Sequence, residues 1–239
     1  MSGVGEPLYG GLVAIATFQD LCVDVLDQEL MAAFWAPTLG LQRGERGDRA
    51  DGPIDLTGPT DQHRVWLNKV PEPVTVKQRV HLDVHAGSVE EVLARGATPL
   101  DLETFRWQQL RDPEGGELCV FVREEAPAYR LYELGVDSVD AVATATWWAE
   151  VFGVPVGRDE QEGWAWVEGV PGMPFESIVF APVPEPKTVK NRIHWDVGTR
   201  DVQLLVDHGA TVLRTPDDDI HWTILADPEG NEFCAFLPD

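Results

Sequence analysis

The chain has 239 residues, 44% of them hydrophobic, which suffices for one large domain or two of about 120 residues. Its 18 basic and 41 acidic residues leave a net charge of −23, which repels phosphate backbones and anionic lipid and excludes nucleic-acid binding as a main role. No run approaches the roughly 18 apolar residues of a span, and no basic stretch precedes an apolar one at the N-terminus, so neither membrane insertion nor a signal peptide is expected.

Residues 1–10 read as a loose lead-in with three glycines. Leu12 to Val25 reads as a strand, and Asp24 or Asp27 is placed to cap a helix over about 28–36, with Leu30, Met31, Phe34 and Trp35 on its apolar spacing. Leu39-Gly40 stops that helix. Residues 43–61, rich in Gly, Asp and Arg, predict a loop, and Arg64 to Lys69 a strand ended by Pro71-Glu72-Pro73. Gln78 to His85 is the next strand. A short helix follows over about 88–94, with Val89, Val92 and Leu93 as its stripe and Gly96 at the left-handed position after it. Strands around 105–110 and 117–122 flank Asp112-Pro113-Glu114-Gly115-Gly116, a turn in which Asp accepts a backbone N–H, Pro fixes φ and Gly permits positive φ.

After a linker over 123–128 the plan recurs. Phe34-Trp35 returns as Trp147-Trp148, Leu39-Gly40 as Phe152-Gly153, Pro71-Glu72-Pro73 as Pro184-Glu185-Pro186 and His81 as His194, all at an offset of 113; Asp112 and Cys119 return at 115 as Asp227 and Cys234. Shared turns and strands at one offset mean duplication. The halves are assigned as 1–124 and 125–239, with units over about 10–74, 75–124, 129–187 and 188–239. Four βαβββ units follow, two per domain, giving an α+β architecture in which each domain forms a curved mixed sheet with helices outside and a cavity on the concave face.

Strand alternation sorts the side chains. Val80, Leu82 and Val84 pack, leaving Arg79, His81 and Asp83 opposite; Ile193, Trp195 and Val197 pack, leaving Arg192, His194 and Asp196 opposite. Two His-x-Asp pairs on strands suit acid–base or metal chemistry, because an Asp on the same face orients a His and raises its pKa. They equally suit a structural polar ladder. Cys119 and Cys234 are soft donors or packed thiols, and with Cys22 they make an odd, widely spaced set of three, which argues against a disulfide framework and for a reducing cytoplasm. His221 and Trp222 stand where the first half has Arg106 and Trp107, and His221 is a candidate pocket donor or a plain surface residue. Of the nine tryptophans, six lie in the second half. Trp164 and Trp166 share a strand face and either wall a flat apolar pocket or fill a core; Trp147 and Trp148 cannot face the same way on one helix, so one serves the core and the other a cleft or domain contact. No P-loop, GxGxxG, Gly-x-Ser-x-Gly, His-Glu-x-x-His or CxxC pattern occurs.

The repeated Lys-x-Arg-x-His-x-Asp-Val (from Lys77 and Lys190), the helix ending in Gly-Ala-Thr and the Asp-Pro-Glu-Gly turn leading to Cys119 or Cys234 resemble the glyoxalase-like branch of the glyoxalase/bleomycin-resistance/dioxygenase superfamily, over essentially the whole chain. The resemblance implies a small-molecule cavity and, in many members, one divalent metal held by His and Glu from paired units. It places the first ligand position near Asp20 and Glu133, the middle one near Arg79 or His81 and Arg192 or His194, and the last on Cys119 and Cys234, where metal-dependent members carry Glu. Glu133, His194 and Cys234 are therefore the candidate metal donors, although no metal cofactor is the favoured expectation. The favoured reading is a metal-free protein enclosing an apolar or aromatic ligand, with Trp107, Trp164, Trp166 and Trp222 stacking and Arg79, His81, Asp83, Arg192, His194, Asp196 and His221 orienting it. The alternatives are a lyase, isomerase or dioxygenase using a divalent metal or a His–Asp pair, and a scaffold with a vestigial pocket. The expected partner is a small molecule, with neither nucleic acid nor membrane, in a monomer or homodimer.

Overall fold

A computed structural model describes residues 13–44 and 52–238. Four units of strand, helix and three strands follow one another. The first holds β1 (Ala16–Val25), α1 (Gln28–Leu39), β2 (Gln42–Arg43), β3 (Ile54–Thr57) and β4 (Arg64–Lys69). The second holds β5 (Val80–Ala86), α2 (Val89–Leu93), β6 (Thr98–Asp101), β7 (Gln108–Arg111) and β8 (Glu117–Val122). The third holds β9 (Leu131–Ser138), α3 (Ala141–Phe152), β10 (Val156–Arg158), β11 (Ala165–Glu168) and β12 (Ser177–Pro182). The fourth holds β13 (Ile193–Thr199), α4 (Val202–Asp207), β14 (Thr211–Arg214), β15 (Thr223–Ala226) and β16 (Glu232–Phe236).

Two units make each eight-stranded sheet, but they are not neighbours within one half of the chain. The first sheet runs β14-β15-β16-β13-β1-β4-β3-β2 and joins the first unit to the fourth; the second runs β10-β11-β12-β9-β5-β8-β7-β6 and joins the second to the third. Each seam is antiparallel, β1 on β13 and β5 on β9, while the closing strand of each unit runs parallel to its opening strand. Each half closing its own sheet is thus corrected to an exchange between halves. The described residues include no helix long and apolar enough to cross a membrane.

Local chemistry explains the elements. Asp27 caps α1 by accepting the Glu29 and Leu30 amides, and Gly40, at φ 69°, ends it. Leu30, expected on the buried stripe, is 46% exposed, and the helix runs through Pro37 to Leu39. Ile54–Thr57, inside the expected loop, is a strand because Ile54 and Leu56 alternate inward; the stretch 45–51 and the lead-in lie outside the described residues. Thr98–Asp101 is an edge strand that polarity and Pro99 hide from a periodicity reading.

The repeated turn holds the two sheets together. Asp112 Oδ1 accepts the Glu114 and Gly116 amides at 2.9 and 2.8 Å, and Asp227 Oδ1 those of Glu229 and Asn231 at 2.9 Å. The turns then point Glu114 at the Leu26 and Asp27 amides, and Glu229 at those of Val139 and Asp140, each across to the start of the other sheet's long helix. Trp148 is wholly buried among Trp195, Phe233 and Phe152, and its Nε1 donates to Asp227 Oδ2 at 3.1 Å. Its neighbour Trp147, also buried, donates to the His208 carbonyl, tying α3 to the end of α4. Burial of one such ring contributes about 3 kcal/mol.

Candidate functional site

On the second sheet's concave face, β5 presents His81, Asp83 and His85, and β8 presents Cys119 and Phe121 through the pairs Asp83–Cys119 and His85–Phe121. Glu133 of β9 lies directly across from Asp83, and Ser177 of β12 across from Glu133. A register shift after Asp83 leaves Tyr132 as an extra residue on β9; its ring stacks on His85 at 4.4 Å and meets Phe121 edge-on at 5.1 Å. Trp107 stacks between Phe105 and Phe121 at 5.0 and 5.5 Å. Trp164, beside β11, reaches Trp107, beside β7, with ring centres 6.0 Å apart. Those strands are five positions apart in the sheet order, roughly 24 Å if the sheet were flat, so their contact requires a sheet curled until its arms meet. The result is a polar floor beneath a half-buried aromatic wall, with Arg123 over the Tyr132 ring at 5.9 Å.

The floor is ionic. His81 Nε2 stands 3.2 Å from Asp83 Oδ1. Burial pulls the imidazole's pKa down, but the Asp83 charge and hydrogen bonding with Asp83 and Cys119 prevail, and it rises well above the ordinary histidine value. Glu133 is pushed up to about 7 by burial, against the hydrogen bond that Ser177 Oγ donates at 2.7 Å and with help from the Asp83 charge. The His81 ring lies over the strand at Gly135, where an added Cβ would sit 2.3 Å from its Nε2. His85 is lowered by burial.

The first sheet repeats the floor with one change. His194 and Asp196 of β13 correspond to His81 and Asp83, and Cys234 of β16 pairs with Asp196 as Cys119 does with Asp83. At the position of Gly135 stands Cys22, opposite His194. Its Sγ donates to Asp196 Oδ2 at 3.5 Å, while His194 Nε2 is held off to 3.8 Å from Asp196 Oδ1. Burial lowers the His194 pKa to about 4 and raises that of Asp196 to about 7, so His194 is neutral at neutral pH where His81 carries its proton. Burial likewise raises Cys22 and Cys234. Asp20, the counterpart of Glu133, is raised by burial against a hydrogen bond with Trp66. Trp222 stacks on Phe236 at 5.3 Å, repeating the Trp107–Phe121 pair.

Several expected site residues lie elsewhere. Arg79 and Arg192 precede β5 and β13, leave the sheet and act at the seam: Arg79 donates to the Glu185 carbonyl and stands 3.8 Å from Glu229, and Arg192 donates to the Glu72 carbonyl and stands 3.4 Å from Glu114. With Lys77 and Lys190, which pair with Asp137 and Asp24, they line a cavity of about 290 Å³ between the two unit-joining linkers. Its cations already have partners, which makes it a structural seam. Glu133 lies on the second sheet and His194 and Cys234 on the first, so these three donors do not converge. The donor sets that do converge among the described residues are Cys22, His194 and Asp196, and His81, Asp83 and Cys119, each with its ligand atoms within 4.8 Å of one another. His221 is exposed, ahead of β15. Trp166, half-buried, covers Gly157 on the neighbouring strand. Sequence reasoning missed Cys22 and Tyr132 as site residues. Aligning Cys22 with Gly135 at the 113 offset was the available signal for the first.

A divalent metal is the group that the fold family implies. The second floor offers His81, Asp83 and Cys119, and Asp83 Oδ1 is buried without a hydrogen-bond partner although His81 Nε2 stands 3.2 Å from it as an ion pair. The first floor offers Cys22, His194 and Asp196, and there both His194 Nδ1 and Asp196 Oδ1 are buried without a hydrogen-bond partner, beside two thiols.

A family profile described as a glyoxalase-like domain matches residues 20–121 and again 133–236. Among solved structures, glyoxalase I from Zea mays superposes with a TM-score of 0.61 at 14% identity, covering 92% of each chain. A putative dioxygenase from Bacillus subtilis gives 0.60 at 15%, over 94% of this chain and 86% of that one. The CppA protein of Streptococcus pneumoniae gives 0.52 at 11%, over 93% and 99%. At these identities the likeness is one of fold. No curated protein sequence matches the chain.

Proposed function

Because the chain belongs to the glyoxalase-like domain family in both halves, we propose that it is a small-molecule binding protein that encloses an apolar, aromatic ligand on the concave face of its second sheet without using a metal there. The observation that carries this reading is the continuous aromatic wall of Trp107, Phe121, Tyr132 and Trp164, closed by the Trp107–Trp164 contact over a floor of His81, Asp83 and Glu133. Flat rings gain most from stacking against such a wall, and the floor supplies a cation, carboxylates and the Ser177 hydroxyl to fix one polar edge. Electrostatics favour ligands carrying an amine, since the field of a −23 chain attracts cations.

The test is tryptophan fluorescence against a panel of fused-ring aromatic compounds with and without an amine. Saturable quenching by at least one compound, weakened at least tenfold by Trp107→Ala, is expected; a panel that quenches nothing, or quenching indifferent to Trp107→Ala, contradicts the reading. A second reading, acid–base catalysis on the same face, draws on Glu133, whose pKa near 7 suits proton transfer at neutral pH. Recovery of the bound compound chemically changed, and its recovery intact from the Glu133→Gln variant, would favour it.

A further inference from the structure

We infer that the seam cavity between the unit-joining linkers, besides holding the fold together, binds a small organic anion, a carboxylate with a short apolar body, and that this anion bridges the two sheets. The cavity lies away from both concave faces, so the inference is independent of the ligand reading above.

Three observations carry it. The first is shape and lining. The cavity measures about 290 Å³, which is at the small end of the roughly 300–1,000 Å³ of small-molecule pockets. Pro73, Val74, Val76 and Val189 give it apolar walls, and Val76 and Val189, equivalent across the duplication, are each 47% exposed. Apolar side chains left open in a concavity gain by being covered.

The second is a set of unused donors. Arg79 and Arg192 line the cavity with side chains only 12% exposed. Each gives Nη1 to a carbonyl across the seam, Arg79 to that of Glu185 and Arg192 to that of Glu72. Those bonds tie the linkers together and leave the rest of each fork over. Among the described residues, Arg79 Nε and Nη2 and Arg192 Nε are buried without a hydrogen-bond partner. Glu229 stands 3.8 Å from Arg79 Nη2, beyond hydrogen-bond reach. Buried guanidinium donors are costly unpaired, and a carboxylate is the acceptor that matches their fork.

The third is charge. Of only 18 basic residues in the chain, Lys77, Arg79, Lys190 and Arg192 line this one cavity, with Asp24 and Glu72 as its two carboxylates. Lys77 pairs with Asp137 and Lys190 with Asp24, yet the lysine side chains are 64% and 61% exposed and keep further donors for a second anion. This local excess of cations admits an anion that the field of a −23 chain would otherwise repel. An inorganic anion would use the donors and leave the valines bare, and a neutral apolar molecule would do the reverse. Together the two features select a carboxylate with an apolar body. Arg79 leads into β5 of the second sheet and Arg192 into β13 of the first, so an anion held by both links the sheets and stabilises the folded chain by mass action.

The test is calorimetric titration of the full chain with octanoate, octanamide and inorganic phosphate, alongside thermal unfolding. The expected result is one octanoate per chain with a Kd below about 1 mM, about tenfold weaker binding or less of the other two probes, and a melting temperature that rises with octanoate concentration. Val76→Glu places a carboxylate on an exposed part of the cavity wall and should weaken octanoate by about tenfold or more. Arg79→Gln, which removes the fork's charge, should do the same, and circular dichroism shows that each variant is folded. Val212→Glu, the same change on the exposed edge strand β14, and Trp107→Ala on the second concave face should each stay within about twofold of the parent. No saturable octanoate binding, equal binding of octanamide or phosphate, or binding lost in Trp107→Ala and kept in folded Val76→Glu would overturn the inference.

Discussion

Cys22 and Gly135 stand at equivalent points of β1 and β9, and the difference between the two concave faces follows largely from that pair. Around them the duplication is faithful: histidine, aspartate, cysteine, and a tryptophan stacked on a phenylalanine at the rim. With no side chain at 135, the imidazole lies down on the strand and pairs with its aspartate, and the floor becomes ionic. With a thiol at 22, the thiol takes the aspartate, and the imidazole is held apart and stays neutral. The duplicated site diverges here through one side-chain volume together with replacements around it, Glu133 standing where the first sheet has Asp20 and His85 where it has Gly198, because protonation in a buried site depends on which neighbour reaches the carboxylate first.

The sharpest way to break the comparison is Gly135→Ala. Its Cβ would fall 2.3 Å from His81 Nε2, so the ring must leave Asp83 and a mostly buried pair is broken. A loss of about 3 kcal/mol is expected in urea unfolding. The mirror change, Cys22→Ala in metal-free protein, removes a weak hydrogen bond and little volume and should cost about 1 kcal/mol. Equal costs at the two positions would contradict the account.

A smaller effect separates the carboxylates by pH. Glu133 has a folded pKa of about 7 against an ordinary value of 4.5. A raised carboxylate favours the folded state while protonated, so its contribution is fully present below pH 4.5 and is lost as pH rises through 7. Because water still reaches the group, the loss should be on the order of 1–2 kcal/mol. Glu133→Gln should lack this decline and be the more stable protein above pH 7. Parallel stability curves for parent and variant across that window would remove Glu133 as the cause.

The fold was legible because duplication prints each turn and cap twice: the Asp-Pro-Glu-Gly turn and the Leu39-Gly40 and Phe152-Gly153 stops stand where the spacing predicts. Which unit pairs with which was not legible, since four copies of one pattern can pair in several ways and the choice rests on contacts as remote as Glu114 with Leu26. Alternation read the floor, His81 with Asp83 and His194 with Asp196, yet failed one residue further out. β5 and β13 begin at Val80 and Ile193, so Arg79 and Arg192 are free to leave the sheet for the seam. Tyr132 escaped notice because a register shift, invisible in composition, turns it toward Phe121. The tryptophan supply did point to an aromatic wall, but the pairing of Trp107 with Trp164 depends on sheet curvature, which a strand pattern does not encode.

The two faces share a rim, and the second is the one proposed to hold the aromatic ligand. The most direct measurement is a paired fluorescence titration of Phe121→Ala and Phe236→Ala, equivalent rim residues that each stack on one tryptophan, using whichever fused-ring compound quenches the parent. The account predicts a loss of affinity of about tenfold, or roughly 1.4 kcal/mol, for Phe121→Ala and a change within about twofold for Phe236→Ala. Equal losses in both variants, or a loss confined to Phe236→Ala, would contradict it.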